Sequence, residues 1–213
     1  MYDFVMNKYY LADSGRKGRI NKATALGDSR INEALNITKK HIFLKKQKYI
    51  IYKNYELFKN KIINDTDNKI EKAIIFNNKN QIIFEKLGTN RNIVFTEFEL
   101  KKMKGHNLIH NHPSGSTLSY QDIILAIEVE LKEILAFSKK GIYYRLVFKN
   151  KLDIKDFSLK YKEAFLEAKY VINELVNNHI LTKNQADFEF KSLVISLFAN
   201  STKGVYYEET RYR

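Results

Sequence analysis

The stretch His110-Asn111-His112-Pro113-Ser114-Gly115-Ser116-Thr117-Leu118-Ser119-Tyr120-Gln121-Asp122 brings two imidazoles and a carboxylate close together in the chain. Alternate side chains of an extended segment share a face, so His110 and His112 can point at one ion. Pro113 and Gly115 turn the chain, and a helix opening at Ser119 puts Asp122 in its first turn, where it can face back toward the two histidines. Two His and one Asp make a three-ligand zinc set, and a water in the fourth position makes such a site catalytic rather than structural. Ser119-x-x-Asp122 ahead of an apolar run is also the pattern of a capping box, a purely local role. The isolated His41, His106 and His179 are read as structural or surface residues.

The elements that must position these residues are legible from periodicity. Ile37, Leu44, Ile51, Tyr55, Phe58 and Ile62 recur at helical spacings, which predicts one long helix or two in series over 30–63, broken by NDTDN at 64–68. EKAIIF and QIIFEKL flank NNKN at 77–80 as a β-hairpin. NIVFT at 92–96 reads as a strand or strand end, EFELKKMKG as a short helix closing at Gly105, and NLIH at 107–110 as a buried strand. A helix is expected from Ser119 to about Lys132, then strands EILAF and GIYYRLVF around SKKG. Phe157, Tyr161, Phe165, Ala168, Ile172, Leu175 and His179 share one helical face over 156–179. A last helix spans about 183–200, and VYYEE is a final strand. Strands alternating with helices over 70–150 give an α/β core with helical extensions on both sides.

Composition narrows the function classes. The 213 residues contain no Cys, which excludes disulfides, thiolate zinc sites, iron–sulfur clusters and a Cys nucleophile. No apolar run approaches the roughly 20 residues of a membrane span, and MYDFVMNKYYLADSG lacks a signal-peptide pattern. A cytoplasmic protein with no membrane partner is the expectation. The net charge is +13, and residues 1–60 hold 13 Lys and Arg against 5 Asp and Glu. That excess, with GRKGR at 15–19 its densest cluster, suits weak electrostatic nucleic-acid binding, but it is more simply what a Lys-rich coding bias leaves on a surface.

The order Glu, His-x-His, Ser-x-x-Asp resembles the JAMM motif of the JAB/MPN metalloprotease family. HNHPSG is especially similar to the RadC-type branch and to JAB-like domains encoded in phage and prophage genes. The likeness covers about residues 69–150. It implies a zinc-dependent (Zn2+) metallopeptidase or isopeptidase that hydrolyses an amide bond in a protein or peptide substrate. The implied fold is α/β and deaminase-like, a mixed sheet flanked by helices with extra N- and C-terminal helices. By this resemblance His110, His112 and Asp122 are the metal ligands, Ser119 supports the oxyanion, and Glu71 ahead of AIIF is the general base. Glu85, Glu97 and Glu99 fit that last place less well. Six residues separate His112 from Ser119 where the commonest family pattern has seven. The sequence has no counterpart of the insertions with which eukaryotic deubiquitinating members hold ubiquitin, so a ubiquitin-type substrate is not implied, nor is the DNA-repair label of RadC-type proteins. The organisation expected is a basic, largely helical extension over 1–66, a zinc hydrolase core over 67–150, and a helical segment over 151–213 packing on it. The competing reading is a non-catalytic JAB-like interaction module, phage-associated or binding nucleic acid through its basic N-terminal part.

Overall fold

The computed structural model describes residues 53–67, 69–138 and 141–211. The front of the 30–63 helix, His41 and GRKGR lie outside them. Helix α1 (Lys53–Thr66) buries Tyr55, Phe58 and Ile62 at spacings of three and four, one apolar stripe. It runs through Asn64–Thr66 instead of breaking at NDTDN: the Thr66 hydroxyl donates to the Ile62 carbonyl at 2.7 Å, and the chain turns only at Asp67, with φ +47°. Strands β1 (Lys72–Phe76) and β2 (Ile82–Leu87) form the expected hairpin, with Asn80 at φ +60° in the turn, a conformation Asn tolerates.

The strand expected at NIVFT does not form. Ile93 and Phe95 pack on the core while Val94 is 71% exposed, so the segment alternates in burial without a pairing partner, and Thr96 becomes the N-cap of α2 (Glu97–Met103). Next come β3 (Asn107–His112) and α3 (Tyr120–Glu128). Helix α3 stops short of Lys132 because Glu130 adopts φ +55° and the Leu131 amide turns back to the Ala126 carbonyl at 2.8 Å. Strands β4 (Glu133–Ser138) and β5 (Ile142–Phe148), helices α4 (Ile154–Asn177) and α5 (Lys183–Ser201), and strand β6 (Val205–Arg211) complete the chain. His179 does not share the buried face of α4; it follows the helix end, exposed, at φ +57°.

The result is an α/β structure with one mixed six-stranded sheet, ordered β2-β1-β3-β4-β5-β6. Only β3 and β4 pair in parallel; the other neighbours are antiparallel. A parallel pair needs a crossover, and the 113–132 segment containing α3 supplies it. Ile74, Phe76, Ile109, Leu135, Phe137 and Tyr143 form a core with α1 on one face. Ala73, Ile75, Leu108, Ile134, Ala136 and Tyr144 form the larger core with α3, α4 and α5 on the other. Strands β1, β3 and β4 are buried along their whole length, which is why AIIF in β1 and ILAF in β4 are apolar on both faces, while β3 carries buried Asn107, His110, Asn111 and His112. Among the described residues no helix is long and apolar enough to cross a membrane.

The start of α3 is held by aromatic packing. Tyr120 stacks on Phe157 with ring centroids 5.2 Å apart, and Phe157 meets Tyr161 at 5.3 Å and Phe198 edge-on at 5.2 Å. Phe157 is fully buried, so Phe157→Ala opens a cavity and should cost about 3–5 kcal/mol of stability in urea unfolding. A loss below about 1 kcal/mol would mean that this cluster does not anchor the helix.

Candidate metal centre

Strand β3 presents His110 and His112 on the face shared with α3, and both are buried. In register, His110 lies between Ala73 of β1 and Ala136 of β4. Two methyl groups as lateral neighbours leave the imidazole room above the sheet. The two Nε2 atoms are 2.8 Å apart, with the rings edge to face at 4.6 Å. Asp122 closes the group, with Oδ1 3.5 Å from His110 Nε2 and Oδ2 3.4 Å from His112 Nε2. Around a tetrahedral ion with bonds of about 2.0–2.1 Å, ligand atoms sit about 3.3 Å apart. The three side chains can therefore hold one metal ion, with small adjustments between the two imidazoles.

The local sequence explains why Asp122 arrives there. Pro113 follows β3, and the Gly115 amide donates to the His112 carbonyl at 2.9 Å, closing a tight turn with Gly115 at φ +79°. Thr117 and Leu118 are buried, and Leu118 joins the core. Ser119 caps α3: its Oγ accepts the Asp122 amide at 3.1 Å while its own amide donates to Asp122 Oδ2 at 2.6 Å. The capping box is thus present, and it orients the Asp122 carboxylate toward both histidines. The six-residue spacing does not keep Asp122 from reaching both histidines.

The charges are coupled. Burial opposes ionisation of Asp122, but the facing imidazoles outweigh it and hold the carboxyl well below its ordinary range. Burial likewise opposes a charge on His112, while Asp122, the Ser116 carbonyl and Glu71 push its pKa up. His112 Nδ1 lies 3.0 Å from the Ser116 carbonyl oxygen. A proton held there leaves the Nε2 lone pair facing the site, the second hydrogen bond usual for a histidine ligand. His110 has no such support: its Nδ1 is buried without a partner. An ion bound through Nε2 would leave the His110 proton on that unpartnered Nδ1.

Glu71 precedes β1 and is half-buried. Burial raises its pKa, and His110, His112 and Asp122 all act on its carboxyl, which places it within electrostatic reach of the whole group. Ser119 Oγ keeps its own hydrogen after accepting the Asp122 amide. The other carboxylates weighed for Glu71's place lie elsewhere. Glu85 pairs with Lys61 and Lys72, Glu99 pairs with Lys86 and completes the α2 capping box, and Glu97 is exposed at the start of that helix. Ser116, Thr117 and the two flanking alanines escaped the sequence reading, because nothing in a loop serine or a strand alanine marks it before the register is known. No protein-family model, characterised protein or solved structure matches the chain.

Metal-free protein titrated with Co2+ should develop visible d–d absorption that saturates at one ion per chain. His110→Ala and His112→Ala should abolish it, each removing one of three ligands. Saturation unchanged in both variants would place the ion elsewhere.

Proposed function

We propose that this chain is a zinc-dependent hydrolase of amide or isopeptide bonds, built on a JAB/MPN-like domain. The observation that carries the reading is the convergence of His110, His112 and Asp122 within metal-binding distance, with the Glu71 carboxyl under the influence of all three. The donor set suits zinc: two imidazoles and one carboxylate leave a fourth tetrahedral position open. Their order along the chain also agrees with the JAMM pattern, with Glu before the first strand, His-x-His ending β3 and Ser-x-x-Asp opening α3.

When bound, zinc would lower the pKa of a water toward about 7 and polarise a scissile carbonyl. Glu71 takes the proton of the attacking water on a carboxylate oxygen as the C–O bond forms and the carbonyl oxygen gains charge, then passes that proton to the nitrogen, which departs as the C–N bond breaks. Its raised pKa suits a group that must both accept and return a proton. The Ser119 hydroxyl donates to the oxygen that gains charge, a contribution of about 2.7–4 kcal/mol for one such donor. The substrate is a protein or peptide.

The excess of basic residues over 1–60 favours a second reading, an interaction module that meets nucleic acid through that part. Counterion release makes such binding fall steeply with salt, and removal of residues 1–28 should lessen the slope. Affinity that withstands high salt would remove charge as its cause.

Glu71→Gln keeps the side chain's shape but cannot take a proton. Hydrolysis of a library-selected amide or isopeptide substrate should fall by about 10²-fold or more, with zinc content and thermal stability near those of the unmodified protein. Cleavage at the original rate would mean that Glu71 is not the base.

A further inference from the structure

Asn111 lies between the two histidines in sequence but projects from the opposite face of β3, and it is completely buried. Its Oδ1 accepts the Lys72 amide at 2.7 Å, and its Nδ2 donates to the Ile70 carbonyl at 2.9 Å. These are the backbone groups on either side of Glu71. The opposite amide orientation would set an NH2 against the Lys72 N–H, so the network allows only this one. Residue 71 is held from its other flank by its own backbone. Its amide donates to the Thr89 carbonyl at 2.6 Å, and its carbonyl accepts the Gly88 amide at 2.8 Å. A Cβ at Gly88 would come within 2.2 Å of the Asn92 carbonyl oxygen, so only glycine permits that loop to close.

We propose that Asn111 is a positioning residue for Glu71, a side-chain clamp that fixes residues 70–72 so that the Glu71 carboxylate stays over the metal site; this rests on the hydrolase reading above. The β1–β3 ladder ends at Ala73 opposite His110. Beyond that pair β1 has no strand bonds to β3, and the Asn111 amide takes their place with one donor and one acceptor. A base carried on a frayed strand end would sample positions an ångström or more from the reacting proton, and displacements of that size cost about 10²-fold in rate. The plainer role, satisfying two buried backbone groups, would make Asn111 matter equally whether or not residue 71 can accept a proton.

The two roles separate in a double-mutant cycle on the full chain loaded with zinc, with hydrogen exchange as a readout independent of activity. In Asn111→Ser, the Lys72 amide should exchange about 10-fold faster or more while Co2+ still binds one per chain. Turnover should fall about 10-fold or more with KM within about twofold, and in a Glu71→Gln background the same substitution should change turnover by less than about twofold. Unchanged exchange at Lys72 overturns the clamp. An equal loss in both backgrounds overturns the positioning role. Should Asn111→Ser fail to fold, Asn111→Asp keeps the acceptor for Lys72 and loses only the donor to Ile70, so it is read by the turnover cycle alone and not by exchange at Lys72. Zinc-loaded unmodified protein that cleaves no amide substrate overturns the hydrolase reading and the positioning role with it, whereas the exchange result bears on the clamp alone.

Discussion

The site depends on where α3 begins. His110 and His112 come from a strand whose geometry is set by the sheet, but Asp122 must be delivered by a helix that starts after a loop, and a shift of one residue would rotate it about 100° away. Several contacts prevent that shift. Leu118 is buried just before the cap, and burying such a side chain is worth about 1.5–3 kcal/mol. The Thr117 hydroxyl meets Tyr207 at 3.1 Å, Tyr207 meets Ser192 at 3.0 Å, and Ser192 donates to Glu209 at 2.5 Å, a chain running from the loop into β6 and α5. Each such bond adds about 0.5–1.5 kcal/mol net, so Leu118 is the stronger anchor and the hydroxyls choose the orientation. Burial pushes the Tyr207 phenol far above its ordinary pKa, which keeps it neutral and able to serve as donor and acceptor together.

The C-terminal elements therefore belong to the site's support although none of their residues enters it. Helix α5 supplies Ser192 and Phe198, β6 supplies Tyr207 and Glu209, and α4 supplies Phe157 and Tyr161 against Tyr120. The opposite face of the sheet carries a separate polar system, in which Glu133 accepts from the Tyr55 hydroxyl at 2.6 Å and from Arg145 at 2.6 Å. Those groups are satisfied among themselves. In the His–His–Asp group on the other face, among the described residues, the buried His110 Nδ1 stays without a partner. A buried polar atom in that state calls for a partner such as a water or an ion.

Elements with a strong period were legible in the chain. The NNKN hairpin, the α4 stripe from Phe157 to Leu175 and the apolar runs of β1, β3 and β4 each carried their own signal. NIVFT misled because its side chains alternate in burial as a strand's do, yet pairing is a property of a neighbour's backbone, which no local pattern reveals. The overlong α3 had a similar cause: Val129 and Leu131 continue the apolar pattern, and Glu130 gives no sign of the left-handed turn imposed by the start of β4. At the site the residue types and spacing named the three side chains that converge and could hold a metal ion. They could not show His110 set between two alanines, or Asn111 bonding the backbone beyond the end of the β1–β3 ladder, since both follow from the β1–β3–β4 register.

The six-residue loop between His112 and Ser119 shows why residue counts are a poor guide to which side chains converge. A pattern with seven residues between the second histidine and the serine and one with six differ in how the chain travels, but the chemistry constrains only the ends of the path. At one end, the turn from His112 to Gly115 takes the chain off the strand with a single backbone bond. At the other, Ser119 must stand at the N-cap so that the residue three further on faces back along the helix axis. Between them, Ser116, Thr117 and Leu118 need only span the gap while sending one carbonyl to His112 and one side chain into the core. A capping box is therefore no rival to a metal ligand at Asp122. The two hydrogen bonds that start the helix hold the carboxylate where both imidazoles meet it.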